Sequence, residues 1–262
     1  MNKKSCSVTL AHLVCALALL AAPAAAQTDA GTLKQTDVAH DEADYSPFVD
    51  RHVPDRVLWG DTHLHTSYSF DAGFFGNTLA PDMAYRFARG EEVTSSTGVR
   101  VKLIRPLDFL VVADHAEYFG MSDMMAKGDP VLQQDPVTAR WYKLRQGSQE
   151  DGMKAFYEGV ESVTSNENLV KNPAMQRTAW DTTLEISEQF NDPGKFSAFI
   201  GYEWSSSPSG NNLHRVVMFR DGADRAGQII PFSSFDSQDP EDLWAFLQGY
   251  EDKTGGRVMS FA

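Results

Sequence analysis

Cysteine is almost missing from these 262 residues: Cys6 and Cys15 are the only two, and both fall in the first 26 positions. Without that segment the chain has no thiol, which excludes disulfide scaffolding, thiolate metal sites and cysteine nucleophiles. Long apolar runs are missing too. The longest, about Val8 to Leu20, is too short and wrongly flanked for a stable membrane span. Positive charge is scarce, with 23 Lys and Arg against 36 Asp and Glu. A formal charge of −13 repels phosphate backbones and argues against nucleic acid as a partner. Internal repeats, low-complexity blocks, Walker spacing and a Gly-x-Ser-x-Gly elbow are all lacking.

Residues 1–26 read as a signal peptide: Lys3 and Lys4, an apolar stretch, then Ala24-Ala25-Ala26 before Gln27. Val14 is branched where lipidation at Cys15 needs a small residue, so lipidation is not expected. Export to the periplasm or beyond is expected, with no stable membrane span in the mature chain. Cleavage removes two lysines and no acid, so the charge of −13 becomes −15. Residues 27–55 are polar and acid-rich and predict an extended arm in which His40 and His52 are solvated. The remaining 56–262 is long enough for one domain with a full core.

Along that domain strands and helices alternate. Val57-Leu58-Trp59 leads into Gly60-Asp61-Thr62-His63-Leu64-His65. A helix from about Leu79 to Arg89 is capped by Thr78 and ended by Gly90. Val99 to Ile104 alternates like a strand, and Asp108 to Ala113 is the continuous apolar run of a buried parallel strand. Asp135-Pro136 opens a helix that Gly147 closes, and Asn172-Pro173 opens one towards Phe190. After the turn Asn191-Asp192-Pro193-Gly194 come strands Phe196 to Glu203 and Leu213 to Arg220. Trp204-Ser205-Ser206-Ser207 reads as a loop lining a cavity. Asp239-Pro240 starts a helix reaching about Tyr250, and Val258 to Ala262 is a further strand. Trp59, Trp141, Trp180 and Trp244 are scattered as core residues would be, not as a stacking platform. This order predicts an α/β fold with a mainly parallel sheet and sites beyond the carboxyl ends of its strands.

His63, His65, His115 and Glu203 obey that rule, while His214 is placed by motif. His63 and His65, two apart on a strand, share a face and suit metal ligation. Asp71 reads as a turn residue before Gly73 or as a carboxylate facing the metal. His115 leaves a buried strand and reads as a ligand; Asp114 either orients it or caps the next helix. Glu203, at a strand end, needs a positive partner or a metal if buried, and Gly201 before it permits close backbone approach. His214 sits near the start of its strand. Arg215 could bind a substrate oxyanion through its planar fork, and Asn212 is a second secondary candidate.

Gly60-Asp61-Thr62-His63-Leu64-His65-Thr66-Ser67 with Asp71-Ala72-Gly73, then Ala113-Asp114-His115, Gly201-Tyr202-Glu203 and Leu213-His214, resembles the PHP (polymerase and histidinol phosphatase) superfamily. More narrowly, the chain resembles an exported bacterial branch catalogued as domain of unknown function 3604, over about Val57 to Ala262. The resemblance implies part of a distorted (β/α)7 barrel with long helical insertions and two or three divalent metal ions, zinc, manganese or iron. It implies that His63, His65 and Glu203 hold one ion, that Glu203 bridges to a second held by His214, and that Asp71 and His115 serve a third. It also implies a further His, then Asp-x-His, beyond Ala262, so an N-terminal, C-terminally incomplete fragment is expected. The expected activity is hydrolysis of a small-molecule phosphate ester by metal-activated hydroxide, with Glu203 and Arg215 at the reacting centre. Hydrolysis of sulfate esters or phosphonates, or a non-catalytic metal-binding or interaction module, are the alternatives.

Overall fold

The computed structural model describes residues 56–170 and 172–262; the signal-peptide and arm expectations, with His40 and His52, lie outside them. Strand β1 (Gly60–Leu64) is followed by α1 (Phe70–Phe74) and α2 (Pro81–Ala88). The short strands β2 (Val93–Thr94) and β3 (Arg100–Val101) precede β4 (Phe109–Val112). Four helices follow: α3 (Met121–Lys127), α4 (Pro136–Arg145), α5 (Gln149–Thr164) and α6 (Pro173–Phe190). Then come β5 (Ser197–Phe199), β6 (Gly201–Ser206), β7 (Leu213–Phe219), α7 (Ala223–Ala226), α8 (Pro240–Thr254) and β8 (Val258–Phe261). Among the described residues no helix is long and apolar enough to cross a membrane.

The fold is α/β, but its strands form a mixed set. β4 lies between β1 and β5 with both pairings parallel. β6, β7 and β8 form a second sheet whose pairings are antiparallel, contrary to the expected mainly parallel arrangement. The cause is connectivity. β7 returns from β6 after a short turn, and only an antiparallel partner can be reached that way. No closed barrel forms among the described strands.

The apolar run at β4 is buried on both faces, as its composition requires. Leu110 and Val112 pack with Tyr85, Phe190 and Phe196, while Val111 packs with Val216. The expected single strand from Phe196 to Glu203 breaks at Ile200, and its two halves join different sheets. Gly201 makes this crossing possible. A Cβ there would stand 2.5 Å from Val111 Cγ1 and 2.7 Å from the Val217 carbonyl oxygen. Beyond the break β6 pairs with the continuation of β4: Glu203 N–H donates to Asp114 O at 2.9 Å and Ala116 N–H to Glu203 O at 2.8 Å.

Asp135, Asn172 and Asp239 cap α4, α6 and α8 through their side chains, each with proline at the first helical position. Other expectations need correction. α2 starts after Ala80, because Thr78 bonds Ser96 instead of capping. Val99 to Ile104 yields only the two-residue β3, and Trp204 to Ser206 belong to β6 instead of a loop. Trp141 and Trp180 are fully buried, whereas Trp59 and Trp244 are exposed. The sequence reading also passed over α5, although Ser148 and Asp151 form a reciprocal capping box at its start.

Gly201→Ala is therefore expected to lower the unfolding free energy by about 1–3 kcal/mol through overpacking against Val111 and Val217. Urea unfolding with an unchanged midpoint would refute the close-approach argument.

Candidate metal centre

Glu203 is the hub. Its side chain is 1% exposed, and four imidazoles converge on it. Oε1 lies 2.9 Å from His63 Nε2 and 3.0 Å from His214 Nδ1. Oε2 lies 3.2 Å from His65 Nε2 and 3.1 Å from His115 Nδ1. Among the side chains that meet these oxygens, the four imidazoles are the ones placed to offset the burial of the charge.

Strand geometry explains the convergence. His63 and His65 alternate with Leu64, which packs against the core beneath β4, so both rings fall on the opposite side. His115 lies just past the carboxyl end of β4 and bridges in parallel to Glu203. Glu203 sits inside β6, not at its end as expected, but it lies beyond the end of β5 and so reaches the same rim. His214 stands opposite Ser205, and because β7 is antiparallel its start meets that rim. Asp71, in the first turn of α1, brings Oδ2 to 3.6 Å from His115 Nε2.

Electrostatics follow the packing. Burial alone would raise the pKa of Glu203, but His65 against the carboxylate and the charges of His115, His65 and His214 hold it below the usual range. At Asp71 burial is likewise outweighed, by the His115 ring and the Ala72 N–H, leaving the pKa at about 2. Burial pulls His115 down, yet Asp71, Glu203 and Glu117 together hold it up at about 9.

Three overlapping ligand groups result: His63, His65 and Glu203; His65, Asp71 and His115; and His115, Glu203 and His214. The ligand atoms of each lie within 4.8 Å of one another. Two donors about 2.1 Å from one ion at a tetrahedral angle stand about 3.4 Å apart, close to the spacings around Glu203. Nitrogen and carboxylate donors without thiolate suit zinc, manganese or iron. The residues present fit divalent metal ions.

A supporting ring went unnoticed in the sequence. Ser69 Oγ lies 2.6 Å from His65 Nδ1 and accepts the His115 N–H. Ser205 Oγ is 2.8 Å from the Nδ1 atoms of both His115 and His214. Its single proton can serve only one of them. Glu117 is buried, with Oε1 accepting the Ser234 N–H and Oε2 unpartnered 4.0 Å from His115 Nδ1. Strand alternation from Glu203 was the available signal for Ser205; Glu117 had none.

Two expectations change. Asp114 neither orients His115 nor caps a helix: it accepts the Thr66 N–H at 2.5 Å and the Thr66 hydroxyl at 2.6 Å, fixing the turn after His65. Burial pushes its carboxyl pKa up against those bonds. Arg215 pairs with Trp204, one residue out of phase with His214, and donates to the His214 carbonyl. It therefore faces away from Glu203. Asn212 lines the cavity beside the cluster and accepts from Ser207 Oγ.

A family model described as "Protein of unknown function (DUF3604)" matches residues 52–262. No curated protein and no solved structure matches the chain.

Asp114→Ala should cost about 2–4 kcal/mol of stability by stranding two Thr66 donors, and about 10–100-fold in metal affinity by loosening His65. Urea unfolding and manganese titration check this; unchanged affinity would separate Asp114 from the site.

Proposed function

We propose that this chain, which belongs to the DUF3604 family, is a divalent-metal-dependent hydrolase of phosphate esters. The observation that supports this most is Glu203, a buried carboxylate with four imidazole nitrogens within 2.9–3.2 Å of its two oxygens. A buried charge needs a counter-charge, and a set of nitrogen and carboxylate donors at this spacing is one that a divalent ion would fill. Phosphate esters are preferred to sulfate esters on the motif order shared with the PHP superfamily. The same order supports reading the strands as part of a PHP-type barrel with helical insertions.

Bound zinc, manganese or iron would supply Lewis-acid polarisation of a phosphoryl oxygen and a hydroxide nucleophile at neutral pH. His63 and His65 would hold one ion and His115 and His214 another, with Glu203 the carboxylate common to both groups. Asp71 would add a carboxylate on the side of His115. Ser69 keeps the His65 ring aimed by occupying its other nitrogen. Ser205 Oγ contacts the same Nδ1 atoms of His115 and His214 that face Glu203, so it ties the two rings together without occupying their outer nitrogens. Arg215, turned to the other face, takes no part. Residues 1–26 support export and a periplasmic or secreted location.

Elemental analysis of the wild type, His63→Ala and Glu203→Ala, with phosphate- and sulfate-ester hydrolysis on the same samples, tests the proposal. Completed with its natural downstream sequence, the wild type is expected to hold more than one ion and to cleave the phosphate ester, and both variants in the same completed form to lose most metal and all turnover. Unchanged metal in both variants would sink the assignment. Metal without hydrolysis of either ester would favour a metal-binding module.

A further inference from the structure

The polar cluster opens on one side into a cavity of about 280 Å³ whose lining joins Asp71, His115, His214 and Asn212 to an apolar wall. That wall comes from two helices. Phe70 and, just past its end, Phe75 come from α1; Phe156, Val160 and Val163 come from α5. Positions 156, 160 and 163 share one helical face. Phe75 and Val160 are respectively 68% and 40% exposed, although both are large and apolar.

The wall is held in place from behind. Phe70 packs over Gly159, where a Cβ would stand 2.2 Å from Phe70 Cζ. Phe75 and Phe156 rings lie 4.8 Å apart. Arg140 on α4 grips Glu158 through both guanidinium nitrogens, and the same carboxylate accepts from Trp141 Nε1 at 3.1 Å. The α5 face is thus presented as a fixed surface.

Among the described residues the cavity lining contains no lysine or arginine, while Asp71 and Glu117 are both in it. A second anionic group on a substrate would meet carboxylates and no cation. Resting on the hydrolase reading above, we propose that this cavity selects esters whose single anionic group sits at the Glu203 cluster and whose other arm is an uncharged aryl or short alkyl group seated on Phe75 and Val160. Nucleotides, polyphosphates and dicarboxylic esters are disfavoured by the same wall.

The test uses the manganese-loaded chain and two phosphonic acids that contain no ester bond, so binding is read apart from turnover. Calorimetry should show phenylphosphonic acid binding about ten-fold tighter than methylphosphonic acid, as expected for partial burial of one ring. Phe75→Ala/Val160→Ser, both at exposed positions, should bring that ratio to about two or below while methylphosphonic acid binds as before. Equal binding of the two acids, or a ratio that survives the double substitution, overturns the proposal. Phenyl phosphate supplied to the same samples separates the two readings. Preferential binding without its hydrolysis keeps the apolar subsite and removes the hydrolase; hydrolysis without any binding preference does the reverse.

Discussion

A carboxylate withdrawn from water at the junction of two sheets is the constraint around which the rest is arranged. Glu203 can occupy that position because β6 pairs with the continuation of β4 on both sides of it. The backbone ladder there offsets none of the cost of burying the charge. Histidines must therefore come from every neighbouring segment: β1 supplies two, the end of β4 one and the start of β7 one. The charges of His115, His65 and His214 hold Glu203 below the usual carboxylate range, and His115 carries the matching upward shift. Divalent ions would satisfy the same electrostatic demand with shorter, directional bonds.

The mixed sheet follows from that demand. A parallel strand would deliver His214 to the rim only from its carboxyl end, after a crossover of a dozen or more residues. β7 arrives antiparallel after a few residues and sets His214 opposite Ser205 instead. The break at Ile200 and the bare backbone of Gly201 are the local conditions for switching from one sheet to the other.

Much of the site was legible because its ligand-bearing residues sit in short motifs with strong local structure. His63 and His65 alternate on a strand, and His115 ends an apolar run; no tertiary knowledge is needed for either. Asp114 was legible as important but not in its role, since its partner Thr66 lies 48 positions earlier. Arg215 misled for the converse reason. It adjoins His214 in sequence, but neighbours on a strand face opposite ways, so adjacency placed it outside the cluster. Glu117 gains meaning only from register between segments far apart in the chain, and Ser69 joins its local contact with His65 to a distant one with the His115 N–H. The change to antiparallel pairing was illegible because Ala198 to Tyr202 carries no charge or turn signal beyond Gly201, and such a run does not reveal where a strand changes partners.

The same division assigns different work to different parts of the chain. Strand ends are stiff and converge within a few ångströms, which suits ligands whose spacing must match an ion. The helices between β4 and β5 carry none of the four imidazoles around Glu203, yet α5 brings Phe156 and Val160 to the edge of the cluster. Its amphipathic face can change residue by residue without disturbing the pairing that fixes Glu203, because Val160 is anchored by the helix and not by the sheet. Arg140, Glu158 and Trp141 hold that helix from its far side, so a substitution at Val160 or Phe75 alters the wall without releasing its support. On the proposed reading, the strands would hold the ions that act on an anionic ester, and the helices between β4 and β5 would select which ester reaches them.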